Sequence, residues 1–199
     1  MNQDPTLTAY RIYAARAIGN WKKNRSPSKF LRHFAKVIPK GKRLLDYGCG
    51  IGEELAWLNS KGFQVDGIDA TKPFVLEARR RCPAAKIQLA RFETVALPKQ
   101  YFDGIWCNAA LIHLSRREIA SQLHKLHQAL KPTGVLGLTL IWGTSSKIHH
   151  NDWIPGRHFT GYQKSTAQAL MRRWGPNSLK VVASDGKHGR WIQILARKQ

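Results

Sequence analysis

The sequence predicts an α/β protein with a seven-stranded mixed sheet, helices on both faces and a C-terminal antiparallel hairpin. Three observations predict this fold class. Short apolar runs alternate with segments of helical periodicity. Three glycines at alternate positions follow the first apolar run, where a strand would turn into a helix. Two final strand-like runs, residues 179–184 and 191–196, flank the turn Asp185-Gly186-Lys187-His188-Gly189.

Each element has its own local signal. Apolar residues at helical spacing predict most of the helices, and Ser115 is a suitable N-cap for the longest one. Gly62 and Lys131-Pro132-Thr133-Gly134 end two of them. Helices are predicted at residues 6–19, from Ser26-Pro27-Ser28 to 37, and at 53–61, 72–81, 115–130 and 165–174. Strands are predicted at 42–47, 64–69, 86–89, 102–107 and 135–142, and residues 143–161 are predicted to be a polar and aromatic loop.

The chain shows no internal repeat and no linker that would separate two domains. Residues 1–199 are therefore predicted to form a single domain. Within it, residues 1–41 form an N-terminal helical lid and residues 42–199 form the α/β core.

The segment from Leu44 to Glu54 is the most informative part of the sequence. A buried strand ending in Asp46 leads into glycines that allow a tight turn and a close approach to a ligand, and helix N–H groups follow. The next strand ends in Asp69, 23 residues after Asp46, where doubly wound folds hold ribose hydroxyls. The third glycine comes one residue earlier than in nicotinamide enzymes, so a dinucleotide-binding dehydrogenase is less favoured.

Four segments in this order resemble the class I S-adenosylmethionine-dependent methyltransferases of the small single-domain type. The segments are residues 45–52, 65–69, 102–109 and 130–136. The resemblance covers roughly residues 42–140. It implies a Rossmann-like fold, S-adenosyl-L-methionine as cofactor and methyl transfer as the reaction.

The resemblance also implies a set of cofactor-binding residues, which follow the first four strands. They are Asp46, Tyr47, Gly48, Cys49, Gly50, Gly52, Asp69, Ala70, Arg91, Phe92 and Asn108. Asp46 would orient loop amides and the cofactor's ammonium group, and Asp69 would accept hydrogen bonds from both ribose hydroxyls. Arg91 and Phe92 depart from the family, because they stand where Gly-Asp is usual. Phe92 would then pack on the adenine, while Glu93 would serve only the surface.

Further residues are predicted to face the methyl acceptor. They are Tyr10, Tyr13, His113, Arg157, Phe159 and Tyr162. His113 is the candidate catalytic base, and the alternative is that it caps the next helix. The aromatic residues of both flanks have an alternative role too, as a hydrophobic staple that holds the flanks together. Cys107 lacks the Pro-Cys pair of cytosine-C5 enzymes, which favours a packed thiol.

The net charge of +21 is unevenly distributed. Residues 1–43 carry +10, residues 44–140 carry +3, and residues 141–199 carry +8. Such basic flanks favour anionic partners, so the predicted acceptor is a small or medium, anionic molecule. Two alternatives remain open, an RNA (tRNA-type) methyltransferase that binds nucleic acid with its flanks, and a non-catalytic binding module on the same fold.

Composition limits the remaining classes. A chain of 199 residues can bury a sizeable core. It has no run of about eighteen apolar residues that would span a membrane, and residues 1–5 lack the apolar segment of a secretory signal. The three cysteines have no paired spacing, which indicates free thiols and a cytoplasmic protein. His149, His150 and His158 lack a companion Cys or Glu pattern, so no metal site is predicted.

Overall fold

The computed structural model describes residues 4–22, 27–186 and 189–199. The helices are α1 (Pro5–Ile12), α2 (Ala14–Trp21), α3 (Lys29–Lys36), α4 (Glu53–Ser60), α5 (Lys72–Arg81), α6 (Arg116–Ala129) and α7 (Lys164–Trp174). The strands are β1 (Arg43–Tyr47), β2 (Gln64–Asp69), β3 (Lys86–Leu89), β4 (Phe102–Cys107), β5 (Leu130–Trp142), β6 (Ser146–His149), β7 (Arg157–Tyr162), β8 (Pro176–Gly186) and β9 (Gly189–Lys198).

The sheet confirms the predicted fold class. Strands β3-β2-β1-β4-β5 are parallel neighbours in that order, and β9 then pairs antiparallel with both β5 and β8. These seven strands form the predicted mixed sheet with its C-terminal hairpin. The hairpin is longer than predicted, and residues 187 and 188 of its turn lie outside the described part of the chain.

The prediction of a loop at residues 143–161 is wrong. Strands β6 and β7 form an additional antiparallel pair there, and β7 continues the sheet beside the end of β5. Buried and exposed residues do not alternate along β7, because three consecutive residues from Thr160 to Tyr162 are buried. Its strand conformation therefore depends on its partners in the sheet more than on local periodicity.

Two other boundaries differ from the predictions. The predicted N-terminal helix is interrupted at Tyr13, whose backbone (φ −100°, ψ 20°) separates α1 from α2. Strand β5 begins at Leu130, five residues before the predicted start, although Thr133 has a positive φ of 62°. Helix α3 begins after the predicted segment, where Ser28 is the N-cap and accepts a hydrogen bond from the Leu31 amide, while Ser26 lies outside the described residues.

The core consists of two apolar layers, one on each face of the sheet. Helices α6 and α7 pack on one face, and helices α3, α4 and α5 pack on the other. A smaller third cluster joins the N-terminal helices to the rest of the protein, through Ala17, Ile51, Phe74 and Ile154. This cluster holds α1 and α2 over the carboxyl ends of the parallel strands. Within the described residues, no helix has the length and apolar character needed to cross a bilayer.

Candidate active site

A cavity of about 840 Å³ lies at the carboxyl ends of the parallel strands. Residues that follow β1, β2, β3 and β4 line it, and α1, α2 and the β6–β7 pair cover it. This is the edge at which open α/β sheets bind ligands. Its volume is near the upper end of the range for small-molecule sites, which leaves room for a cofactor and a second small molecule.

The three glycines after β1 have different roles. A Cβ atom on Gly50 would meet only Trp21, at 3.8 Å, so this glycine leaves space in the cavity. A Cβ on Gly48 would lie 2.3 Å from that of Ala110, and one on Gly52 would lie 2.8 Å from that of Ala78. All three have positive φ. Gly50 thus provides the close approach to a ligand, whereas Gly52 is required for packing of α4 against α5 and does not line the cavity.

Asp69 connects the two loops that form one end of the cavity. One carboxylate oxygen accepts a hydrogen bond from the Gly50 amide at 3.0 Å, and the other accepts from the Thr71 amide at 2.8 Å. Burial raises the pKa of Asp69, and these backbone donors partly oppose the shift. Each oxygen retains a lone pair for a ligand hydroxyl.

Replacing Asp69 by alanine should weaken cofactor binding by about 1.5–3 kcal/mol, because hydrogen bonds to a charged acceptor have that value. Part of this loss should come from the glycine loop, since Asp69 also holds Gly50. Asp69→Asn keeps one carbonyl acceptor and should lose less. Isothermal titration with S-adenosylhomocysteine, with circular dichroism to verify folding, measures both variants. Unchanged affinity in folded Asp69→Ala would refute a ribose-binding role.

Asp46 lies beneath the glycine loop and is buried, with 2% of its surface exposed. Its Oδ2 atom has no hydrogen-bond partner among the described residues, while the Leu55 amide donates to the carboxylate. Burial raises its pKa well above the usual value, and the charges of Glu54 and Asp69 raise it further. Asp46 does not itself line the cavity.

Glu54 is a cavity residue that sequence reasoning missed. It accepts hydrogen bonds from the Trp106 indole at 2.7 Å and from the Asn108 side-chain amide at 3.1 Å. Thr139 fixes the Asn108 amide by donating to its Oδ1 at 2.7 Å. Burial raises the pKa of Glu54. The only feature of the sequence that could have predicted this role is the position of Glu54, two residues after the last glycine of the loop. The same position is equally typical of an exposed acidic residue in the first turn of a helix.

Asp46, Glu54 and Asp69 form an uncompensated group of carboxylates. None of the three forms an ion pair with Lys or Arg in the part of the chain that the structure describes. Buried charges of one sign without a counter-charge are costly. This end of the cavity is therefore suited to a cationic ligand.

The end of the cavity after β3 contains Arg91 and Phe92. The Phe92 ring stacks on Tyr47, with centroids 4.3 Å apart, and lines the cavity. Tyr47 itself does not line it, because its hydroxyl donates to Gln122 in the core at 2.9 Å. Arg91 pairs with Glu93 at 3.1 Å and with Asp4 at 3.5 Å. Glu93 also lines the cavity, so it is not only a surface residue.

At the end of the cavity away from the glycine loop, a chain of hydrogen bonds joins α1, which covers the cavity, to His113. Arg157 donates to the Tyr10 hydroxyl at 3.0 Å, and the Tyr10 oxygen lies 3.0 Å from Nε2 of His113. Nδ1 of His113 donates to the His158 carbonyl at 2.7 Å, which assigns its proton to Nδ1. Burial lowers the pKa of His113 to about 4. His113 is therefore neutral at pH 7, but its free lone pair already accepts the Tyr10 proton.

Arg157 is buried, with 6% of its surface exposed, and its charge is paired with Asp152. Its Nε donates to the Ile154 carbonyl at 3.2 Å. The guanidinium carbon also lies 4.9 Å from the Phe159 ring centroid. Arg157 is thus a structural cation that connects α1, the loop before β7 and the cavity wall.

The structure brings most of the predicted site residues together in one cavity. Five of them do not line it: Asp46, Tyr47, Gly52, Tyr13 and Tyr162. Tyr13 packs in the apolar cluster under α1 and α2, and Tyr162 is buried in the core with Arg116 over its ring at 4.7 Å. Cys107 is fully buried in the core and burial raises its pKa, as expected of a packed thiol.

The charge of the lining is opposite to that of the chain. Half of the 12 Asp and Glu residues line the cavity, but only two of the described Lys and Arg residues do. The acids are Asp4, Glu53, Glu54, Asp69, Glu93 and Asp152, and the bases are Arg91 and Arg157. Both arginines are paired with carboxylates. The described basic residues of the flanks therefore lie mainly outside the cavity.

Comparison with known proteins supports the assignment of the fold. A family model described as a methyltransferase domain matches residues 44–134, which include β1, the glycine loop, Asp69 and β4. This match and the similar proteins described below support a class I S-adenosylmethionine-dependent methyltransferase. One solved structure with this fold, phosphoethanolamine N-methyltransferase 2 of Haemonchus contortus, is a complex with S-adenosyl-L-methionine; it aligns with a TM-score of 0.68 at 15% identity, over 84% of this chain and 52% of that one.

Two curated relatives and one solved structure illustrate the similarity. Malonyl-[acyl-carrier protein] O-methyltransferase of Salmonella typhimurium is 26% identical over 169 residues, covering 77% of this chain and 64% of the relative. The S-adenosyl-L-methionine-dependent Diels-Alderase iccD of Talaromyces variabilis is 32% identical over 110 residues, covering 51% of this chain and 37% of the relative. The chain therefore spans less than two thirds of either relative.

A S-adenosylmethionine-dependent methyltransferase from Methanosarcina mazei has the same fold. Its crystal structure aligns with a TM-score of 0.72 at 16% identity, over 87% of this chain and 98% of that one.

Proposed function

We propose that this protein transfers a methyl group from S-adenosylmethionine to a small-molecule acceptor. The observation that carries the proposal is the group of carboxylates around an open glycine loop, in which Asp46 is buried and Glu54 and Asp69 are half-buried. The cofactor has a sulfonium and an ammonium group, so it provides the positive charge that these residues lack. When bound, it supplies a methyl group activated by the sulfonium.

The residues of the cavity fit the parts of this cofactor. Gly50 leaves space beside the loop, and Asp69 has free lone pairs for the ribose hydroxyls. Phe92 offers a ring surface for the adenine, and its position on Tyr47 is fixed by stacking. Asp46 and Glu54 would orient the cationic end. Methyl transfer depends mainly on alignment of donor and acceptor, which a cavity with fixed walls provides.

The domain organisation follows from the same proposal. Residues 1–199 act as one methyltransferase domain, and residues 1–41 act as its lid. The contacts that support the lid are the Arg91–Asp4 pair, and the hydrogen bond from the His158 amide to Thr6 at 2.9 Å.

The predicted anionic acceptor finds little support in the cavity. It rests on the basic flanks, but carboxylates outnumber guanidinium groups in the lining and both guanidinium groups are paired. An RNA acceptor would contact the outer surface, and its binding should then fall steeply with salt. The relative named as a Diels-Alderase is a reason to test for methyl transfer directly.

The test has two parts. Isothermal titration should show binding of both S-adenosylmethionine and S-adenosylhomocysteine, and absence of binding to either at millimolar concentration would refute the proposal. Incubation with an isotopically labelled methyl donor and a cell extract, followed by mass spectrometry, should reveal a labelled small molecule. Cofactor binding without any labelled product would favour the non-catalytic module, and label in RNA would favour the RNA alternative.

A further inference from the structure

The order of strands divides the cavity into two halves. Gly50, Asp69 and Phe92 follow β1, β2 and β3, which lie on one side of the sheet. The other half is lined from β4 onward, by His113 after β4, Phe159 on β7 and Trp191 on β9. Because the proposed cofactor occupies the first half, the second half is left for the acceptor.

Four aromatic rings in successive contact form part of the lining of this second half. The His113 and Phe159 ring centroids are 4.9 Å apart, and those of Phe159 and His149 are 5.1 Å apart. On the side of the cover, Tyr10 lies 5.5 Å from His113. All four residues line the cavity. Such a wall offers large, rigid ring surfaces to a ligand.

This half of the cavity offers no free cation to an acceptor among the described residues. Arg157 is the only arginine of the described residues in this half, and each of its three nitrogens donates one hydrogen bond within the protein, Nη2 to Asp152, Nε to Ile154 and Nη1 to Tyr10. Burial keeps His113 neutral above about pH 4. Asp152 also lines the cavity. An acceptor with a carboxylate or phosphate would lose its hydration and meet a paired arginine.

We propose that the acceptor is a planar aromatic or heteroaromatic molecule without an anionic group. The inference rests on the proposed methyl transfer, because it assigns the second half of the cavity to the acceptor. Stacking on Phe159 and the rings beside it provides the affinity. Anions are excluded because Arg157 is already paired with Asp152.

Three probes with the same bicyclic carbon skeleton test the two parts of the proposal, which are stacking and the exclusion of anions. They are 2-naphthol, its saturated analogue decahydro-2-naphthol, and 6-hydroxy-2-naphthoate, which adds a carboxylate. Dissociation constants are measured with and without saturating S-adenosylhomocysteine. We expect 2-naphthol to bind more tightly than either analogue, by about two- to tenfold, the range expected of one aromatic contact.

Two variants connect this preference to the named residues. Phe159→Leu should reduce the preference for 2-naphthol over its saturated analogue, while Tyr101→Leu, a matched change of an exposed ring outside the cavity, should not. Asp152→Asn frees the Arg157 guanidinium and should improve binding of 6-hydroxy-2-naphthoate relative to 2-naphthol. If Asp152→Asn does not fold, the Phe159 pair still tests the stacking.

Some results would overturn the inference while leaving the proposed function intact. They are tighter binding of 6-hydroxy-2-naphthoate to the unmodified protein, equal binding of decahydro-2-naphthol, or no binding of 2-naphthol at millimolar concentration. In each case S-adenosylhomocysteine would still bind. Failure of the cofactor itself to bind refutes the proposed function instead, and the two failures are therefore distinguishable.

Discussion

Replacing Arg157 by methionine is expected to lower the free energy of unfolding by about 3 kcal/mol. The change leaves Asp152 without its cation and removes the hydrogen bonds to Tyr10 and Ile154. Breaking a buried ion pair costs about 3–5 kcal/mol, and the lower end applies because the Asp152 side chain is 21% exposed. Chemical denaturation followed by tryptophan fluorescence measures the loss.

Arg16→Met is the matched control for this prediction. Arg16 is exposed and its one hydrogen bond in the described structure goes to the Trp153 carbonyl, at 2.9 Å, so its loss should change stability by about 0.5 kcal/mol or less. The double variant Asp152→Asn/Arg157→Met should recover part of the stability, because no charge is left unpaired. Equal denaturation midpoints for Arg157→Met and Arg16→Met would show that Arg157 is not a structural cation. The prediction from sequence, in which it contacts the acceptor directly, would then be favoured.

Replacing Glu54 by glutamine is expected to weaken S-adenosylmethionine binding by about 1.5–3 kcal/mol, the value of hydrogen bonds to a charged group. Glutamine keeps the shape and an acceptor for Trp106 and Asn108, but it removes the negative charge. S-adenosylhomocysteine should also bind more weakly, though less so, because it retains the ammonium group but has no sulfonium. Isothermal titration with both ligands measures the two losses.

The pH dependence of binding gives a second readout for Glu54. Burial raises the pKa of Glu54. At a given acidic pH, the protonated fraction of Glu54 is therefore larger than that of an exposed glutamate. A bound cation favours the ionised form. Binding should therefore release protons, and affinity for S-adenosylmethionine should rise with pH through the raised pKa. This dependence should be smaller in Glu54→Gln.

Glu118→Gln is the control for the change of charge. Glu118 belongs to the capping box of α6, outside the cavity, and glutamine can replace it there. The cofactor affinity of Glu118→Gln, and the pH dependence of that affinity, should equal those of the unmodified protein. If Glu54→Gln behaves in the same way as Glu118→Gln, the carboxylate group does not attract the cofactor.

Local sequence was sufficient to predict several of the central strands and helices. The bounds of β2, β3, β4 and α5 agree with the predictions, and Ser115 caps α6 as expected. These elements have clear apolar periodicity and clear caps or turns at their ends, so neighbouring residues in the chain determine them. The glycine loop and Asp69 were predictable for the same reason, because they follow their strands directly in the sequence.

Contacts between distant parts of the chain determined the rest. Tyr10 is 103 residues from His113 and 147 from Arg157, yet the three share one hydrogen-bonded chain. Glu54 is held in the cavity wall by Trp106 and Asn108, which donate to it from β4 and from the loop after it. Strand β7 required its neighbours β5 and β6.

The sequence by itself determined the fold class, the resemblance to a methyltransferase family and the position of the glycine loop, since each depends on short-range patterns of residues. Only the tertiary structure decided the charge of the cavity. The chain carries a net charge of +21, and its composition alone suggested an anionic acceptor. Folding places half of the carboxylates around the cavity and pairs both of its arginines. Local electrostatics depends on which charges are brought together and buried, which no count of residues along the chain reveals.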